Sequence, residues 1–180
     1  MRVAVFLPII ALLAIIQVTW SEHFAVNAVV PQLLLAFLII LTLREGRKKG
    51  LIWAFVGGLI YTVFSPFPFS GDLIALLAAI GIIGLLGETV FGTTSPLTMM
   101  GQTAIATAVF VVVRVLLANL AAQFWGVPLH LSWDTEVVYL LWLIIYQIGL
   151  VWLFYFAWEW ISQKVVGWQQ RPGLKRSRFL

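Results

Sequence analysis

Charge in this 180-residue chain is confined to a few short stretches, separated by apolar segments long enough to cross a bilayer. Only 10% of the residues are charged and 62% are hydrophobic, and the mean hydropathy is +1.04. A water-soluble domain is about half apolar and a quarter charged. The backbone of a segment in lipid must satisfy its own hydrogen bonds, which leaves helices or a closed barrel, and runs this long and this apolar are helical. The expected fold is therefore all-α, a polytopic integral membrane protein with six transmembrane helices. The spans are expected at about 3–20, 24–43, 51–64, 72–91, 100–122 and 137–161, making one domain over residues 1–163. A basic cytoplasmic tail follows over 164–180.

The first run, Val3 to Trp20, has 18 residues and rises roughly 27 Å, close to a hydrocarbon core of ~30 Å. Its alternative is a cleaved signal peptide, with Thr19 and Ser21 as small residues at the cleavage site. The run is longer than the usual signal core, and a second span follows at once. Pro31 lies inside the second span, where its missing N–H kinks or restarts the helix. The third span is short and so tilts, thins the bilayer or is shielded by neighbours. Ser65-Pro66-Phe67-Pro68 cannot continue a helix, and Asp72 is expected to cap the fourth span.

Orientation follows from the cations. Arg44, Arg47, Lys48 and Lys49 crowd with Glu45 around Gly46 and Gly50, between two apolar runs. Carrying four cations across hydrocarbon is costly, so this turn is topology-determining and stays cytoplasmic. With both termini on the same side, Arg2 and the tail residues Lys164, Arg171, Lys175, Arg176 and Arg178 join it. Ten of the eleven Lys and Arg then lie inside and none in an outer loop. Tryptophans are expected as interfacial belts, with Trp20, Trp125 and Trp133 outside and Trp53, Trp158, Trp160 and Trp168 inside. The net charge of +4 belongs to this pattern and not to a nucleic-acid-binding face. The tail either contacts anionic lipid head groups or serves only as a positive-inside anchor.

The remaining cation, Arg114, falls inside the fifth span, with Gln32 at similar depth in the second span and Tyr146 and Gln147 near that level in the sixth. A cation there costs at least ~2.5 kcal/mol on insertion scales and must pair or hydrogen-bond. Arg114, Gln32 and Gln147 are thus expected to make an intramembrane polar contact; a role in ligand or proton handling is the competing reading. Ala75, Ala78, Gly81, Gly84 and Gly87 place a small residue at every third position of the fourth span. Steps of three drift around the helix, so the row makes a winding groove for close approach of another backbone. Partner transmembrane segments are its expected occupants. Glu88 and Glu159 read as interfacial acids, solvated or paired with Lys164 or the basic turn.

No enzymatic chemistry is expected. There are no cysteines, which removes disulfides and thiolate sites. His130, Ser132, Asp134 and Glu136 match no zinc spacing or triad, and the two acids are better placed opening the sixth helix. No glycine-rich phosphate loop follows a strand, so no cofactor and no metal are expected.

Val30-Pro31-Gln32-Leu33-Leu34-Leu35, then Leu43-Arg44-Glu45-Gly46-Arg47, then Gly57-Gly58-Leu59-Ile60, Ser65 and Gly71 resemble the MreD family of bacterial rod-shape-determining membrane proteins. The likeness is clearest over residues 30–90; elsewhere length and six-span layout agree. The family-motif positions are Pro31, Gln32, Gly57, Gly58, Tyr61 and Gly71. At two of these the chain departs from the pattern, with Gln32 where Asp or Asn is usual and Tyr61 where Asp is usual. The resemblance implies a fold similar to the substrate-binding components of energy-coupling-factor transporters. It also implies a non-enzymatic inner-membrane scaffold of the elongation machinery, beside MreC-like proteins, MreB filaments and the lateral peptidoglycan synthases. The alternative is a substrate-binding membrane component of a vitamin or small-molecule transporter. That would need an outward pocket roofed by 65–71 and 123–136, with Arg114 or Gln147 reaching the ligand. Ala11 and Ala14 in the first span are three apart, not the four of the docking pattern such components use.

Overall fold

A computed structural model describes residues 3–20, 23, 29–65, 71–89, 96–125 and 133–169. They form six helices: α1 (Val3–Trp20), α2 (Leu33–Glu45), α3 (Arg47–Phe64), α4 (Asp72–Thr89), α5 (Pro96–Trp125) and α6 (Trp133–Gln169). Two of them, α5 and α6, contain apolar stretches long enough to cross a membrane, Leu97–Ala121 and Val138–Trp160.

The organising element is α2. Every residue from Leu34 to Thr42 is buried, and α2 touches each of the other five helices. A helix apolar around its whole circumference has no face to offer to solvent and belongs at a core. The chain packs α1 on α3, α3 on α4, α4 on α5 and α5 on α6 around it. Phe6 stacks on Trp158 with ring centroids 5.8 Å apart, which brings the start of α1 back to α6. The other five helices therefore pack about α2, with α1 and α6 meeting only through side chains such as these.

The second helix is shorter than the run of apolar residues suggests. Residues 29–32 are not helical and α2 begins only at Leu33, whereas helix was expected from 24; residues 24–28 lie outside the described set. Proline drives the residue before it out of the helical region and lacks an N–H of its own. The helix thus starts after Pro31 instead of bending at it. At its other end Gly46, with φ at 88°, is the one residue between α2 and α3. A side chain is strained at that φ, so glycine permits a reversal this tight. A Cβ on Gly50 would overlap the Thr42 side chain, so the hairpin closes onto bare backbone there.

Other boundaries move too. Because Gly46 alone makes the turn, Arg47, Lys48 and Lys49 open α3 instead of preceding a helix at Leu51. Lys49 is held 2.7 Å from Glu45 across the turn. Helices α5 and α6 run past both ends of their apolar stretches, and α6 continues to Gln169, so Lys164 is helical and not part of a tail. Backbone hydrogen bonding does not stop where hydrophobicity stops. Arg2, His130, Ser132 and residues 170–180 lie outside the described residues, as do the side chains of Glu88, Trp125, Trp133, Asp134, Glu136, Lys164 and Trp168.

The small-residue row of α4 winds as expected, but its occupants are within the chain. Gly81 faces Leu51 and Gly84 faces Arg47, both on α3, while Gly87 turns toward Gln102 of α5. A Cβ on Gly84 would come within 3.2 Å of the Arg47 Cα. Ala75 is fully buried, and Ala78 is half-buried. The row admits another backbone, and that backbone is α3. It is not an open surface for a partner at Gly84.

At the basic end of the bundle, aromatic side chains pack inward. Trp53 is buried edge-on to Phe6, and Trp158 is half-buried beneath it. These two tryptophans belong to the core and not to an interfacial belt; Trp20 and Trp160 are exposed. The reason is Arg44, whose guanidinium lies 5.1 Å from the Tyr155 ring, 5.7 Å from the Trp158 ring and 2.9 Å from Glu159. A weakly hydrated planar cation stacks well on aromatic faces. Glu159 thus pairs with the basic turn, through its arginine.

Candidate functional site

At the opposite end four buried polar side chains, Gln17, Gln32, Asp72 and Gln147, gather. Gln17 comes from the last turn of α1 and Gln32 from the residue preceding α2. The Gln17 amide Nε2 donates to Gln32 Oε1 at 2.5 Å. Its Oε1 accepts from the backbone N–H of Leu34 at 2.8 Å. That N–H is one of the donors a helix start leaves unsatisfied, and Gln32 itself makes no side-chain cap. The first helix therefore caps the second from outside. Gln147 of α6 adds a third link, donating from Nε2 to the Gln32 carbonyl at 3.0 Å.

Tyr61, near the end of α3, extends the chain of contacts. Its hydroxyl lies against both Gln17 and Asp72. Asp72 is the first helical residue of α4 and only 4% exposed. Its Oδ1 sits 3.1 Å from Nε of Arg114, an ion pair whose N–H is not aimed along the contact. Gly71, with φ at 71°, sets this start, and its backbone packs on Leu117 of α5 where a Cβ would meet Leu117 at 2.9 Å. Each of the six helices thus contributes a group to one polar junction.

Two expectations change here and a third is met in another form. Arg114 does not pair with Gln32; its ionic partner is Asp72, brought to it by the packing of α4 on α5. Asp72 does not act as the helix cap, since the residue before α4 is Gly71, which accepts from the Ala75 N–H at 2.9 Å. Gln32 and Gln147 do meet, but through the Gln32 backbone carbonyl. Sequence reasoning missed Gln17 and gave Tyr61 no partner. The available signal for Gln17 was a lone amide in an 18-residue run otherwise without strongly polar groups.

The motif positions converge on the same region. Gly57 leaves room for Ile10 of α1 and Leu34 of α2, and Gly58 for Leu73 of α4. Pro31 and Gln32 are buried. Tyr61, where the pattern carries an acid, reaches the acid that Asp72 supplies from the next helix.

At this end of the bundle α5 and α6 extend furthest. Gln17, Tyr61 and Asp72 lie within about a turn of their helix ends. Arg114 lies eleven residues before the end of α5 and Gln147 fourteen after the start of α6, so these helices overhang by roughly 16 and 21 Å. Beyond Val111 no described residue of α5 is buried, on any face. The Arg114 side chain is 42% exposed there. No protein-family model, characterised protein or solved structure matches the chain.

Proposed function

We propose that the chain is a six-span protein of a bacterial plasma membrane with both termini cytoplasmic. On this reading it is a non-enzymatic MreD-like scaffold of the cell-elongation machinery, contacting MreC-like and other partner membrane proteins during lateral peptidoglycan synthesis. The observation that carries the reading is the convergence of the motif residues. Pro31, Gln32, Gly57, Gly58, Tyr61 and Gly71 are spread over some forty positions, yet each packs or hydrogen-bonds at the junction or directly beneath it. Chance likeness between leucine-rich helices gives no reason for that. The six-span layout is supported by helix length: α1, α3 and α4 have 18 residues each, or roughly 27 Å. Helix α2 is only 13 residues, but the other five helices enclose it. Non-helical backbone such as 29–32 is tolerated at membrane depth where protein covers it.

Two measurements test the proposal. The chain has no cysteines, so single ones report topology. In intact cells a membrane-impermeant maleimide should label His23→Cys and leave Lys48→Cys unlabelled until the cells are opened. Depleting the protein from a rod-shaped host should round the cells, and the tagged chain should co-purify an MreC-type protein. Rods that keep their shape, with no such protein recovered, would refute the scaffold role.

A further inference from the structure

We propose that α3 binds an anionic phospholipid of the cytoplasmic leaflet, with the phosphate on the Lys48 ammonium and an acyl chain along Ile52, Phe55 and Leu59. The proposal rests on the six-span membrane reading and not on the scaffold role. Lys48 is exposed in the first turn of α3 and, among the described residues, has no acidic partner. The acids beside it are engaged: Glu45 lies 2.7 Å from Lys49, and Glu159 lies 2.9 Å from Arg44. The helix start does not offset the charge either. Arg47, Lys48 and Lys49 open α3 with no acid in its first turn, and the positive end of the helix dipole adds to cations there. Positive-inside placement accounts for cations at this end of the bundle, but not for the face of α3 on which Lys48 stands.

That face is what selects a lipid. After Lys48 come Ile52, Phe55, Leu59 and Val63, at steps of four, three, four and four, which keep to one side of a helix. The four are between 42% and 77% exposed, while Gly50, Trp53, Ala54, Gly57 and Gly58 fill the buried side. Leu59 lies eleven residues beyond Lys48, roughly 16 Å, which matches half of a ~30 Å hydrocarbon core. Helical side chains lean toward the N-terminus, so the lysine reaches outward to head-group level and the stripe below it lies among acyl chains. A cation heading an apolar stripe one leaflet long is complementary to a phospholipid of negative charge. On α5, by contrast, Val112 is exposed on a helix that carries no charge from Pro96 to Val113. Apolar contact does not choose between lipids, since acyl chains are as apolar as leucine. The choice comes from the cation, which near the surface gives about a fivefold preference for an anionic head group.

The test places a bimane fluorophore on single cysteines, Phe55→Cys on the stripe and Val112→Cys as control, since the chain has none of its own. The full chain is reconstituted in vesicles of equal parts phosphatidylglycerol and phosphatidylcholine, with brominated acyl chains on one lipid or the other. Quenching at position 55 should be stronger when phosphatidylglycerol carries the bromine, by an apparent preference of about fivefold. At position 112 the two lipids should quench equally. Lys48→Gln should abolish the preference at position 55 and Lys48→Arg should keep it. Neutralising Arg171 and Lys175 of the tail to glutamine should leave it unchanged. Equal quenching by both lipids at position 55, or a preference that survives Lys48→Gln, overturns the proposal. Quenching at position 112 with none at position 55 would mean that protein covers this face, and overturns it too. Absence of quenching at both positions would mean that the chain is not in the bilayer, and the six-span reading would fall with it.

Discussion

Replacing Gly84 by alanine measures how closely α3 and α4 approach, and Gly81 supplies its control. A Cβ on Gly84 would sit 2.5 Å from Cγ, 2.7 Å from Cβ and 3.2 Å from Cα of Arg47. Carbon atoms pack best at about 3.5–4.0 Å. Rotation about χ1 can move Cγ, but Cβ and Cα are fixed by the backbone, so no rotamer change relieves the crowding. Overpacking of this kind costs about 1–3 kcal/mol. Against it stands the gain of about 1 kcal/mol for alanine over glycine inside a helix. At Gly81 the nearest atom to a new Cβ is Leu51 Cδ2 at 3.8 Å, an ordinary contact. Both variants share the helix-propensity gain, so their difference isolates the crowding. Gly81→Ala should match or exceed the wild type by up to about 1 kcal/mol. Gly84→Ala should fall about 1–3 kcal/mol below Gly81→Ala. Titration with sodium dodecyl sulphate in mixed micelles, followed by fluorescence of the nine tryptophans, reads both. Equal midpoints would mean that α3 does not lie in the α4 groove and would reopen that groove to partners.

Gln17→Leu should destabilise more than Gln32→Leu, by about 1 kcal/mol. It orphans the Leu34 N–H as well as the Gln32 side chain, and each buried orphan costs about 1–3 kcal/mol; hydrogen exchange at Leu34 should accelerate only in the former. Arg44→Ala should cost about 1 kcal/mol, since the Glu159 pair and the ring contacts are partly exposed. Adding Glu159→Gln to Arg44→Ala should cost little more, and a fully additive double mutant would show that the two do not act as a pair.

Much of the architecture was legible in the chain. Apolar runs gave six helices near the expected places, because burial of a whole segment depends on its own composition. The basic turn was clear from Gly46, Gly50 and the cations between and beside them. The start of α2 was harder: the proline signal was present, but Gln17, which caps the helix there, is 17 positions before Leu34. The aromatic residues of α6 read as a belt because their spacing carries no sign of which face looks inward. That face is set by Arg44, more than a hundred residues earlier.

The sequence by itself determined that this chain is helical, where its helices turn, and which end gathers the cations. These are local matters of hydropathy, proline and glycine geometry, and charge. Only the tertiary structure decided who meets whom. Arg114 read as a cation in want of a partner, and Gln32 was the nearest candidate by depth. Depth along a helix says nothing about position around the bundle. With α2 at the centre and α4 beside α5, Asp72 is the group that reaches Arg114 and Gln32 is turned to Gln17. The order of helices around the core, which no local pattern encodes, joined the six polar groups.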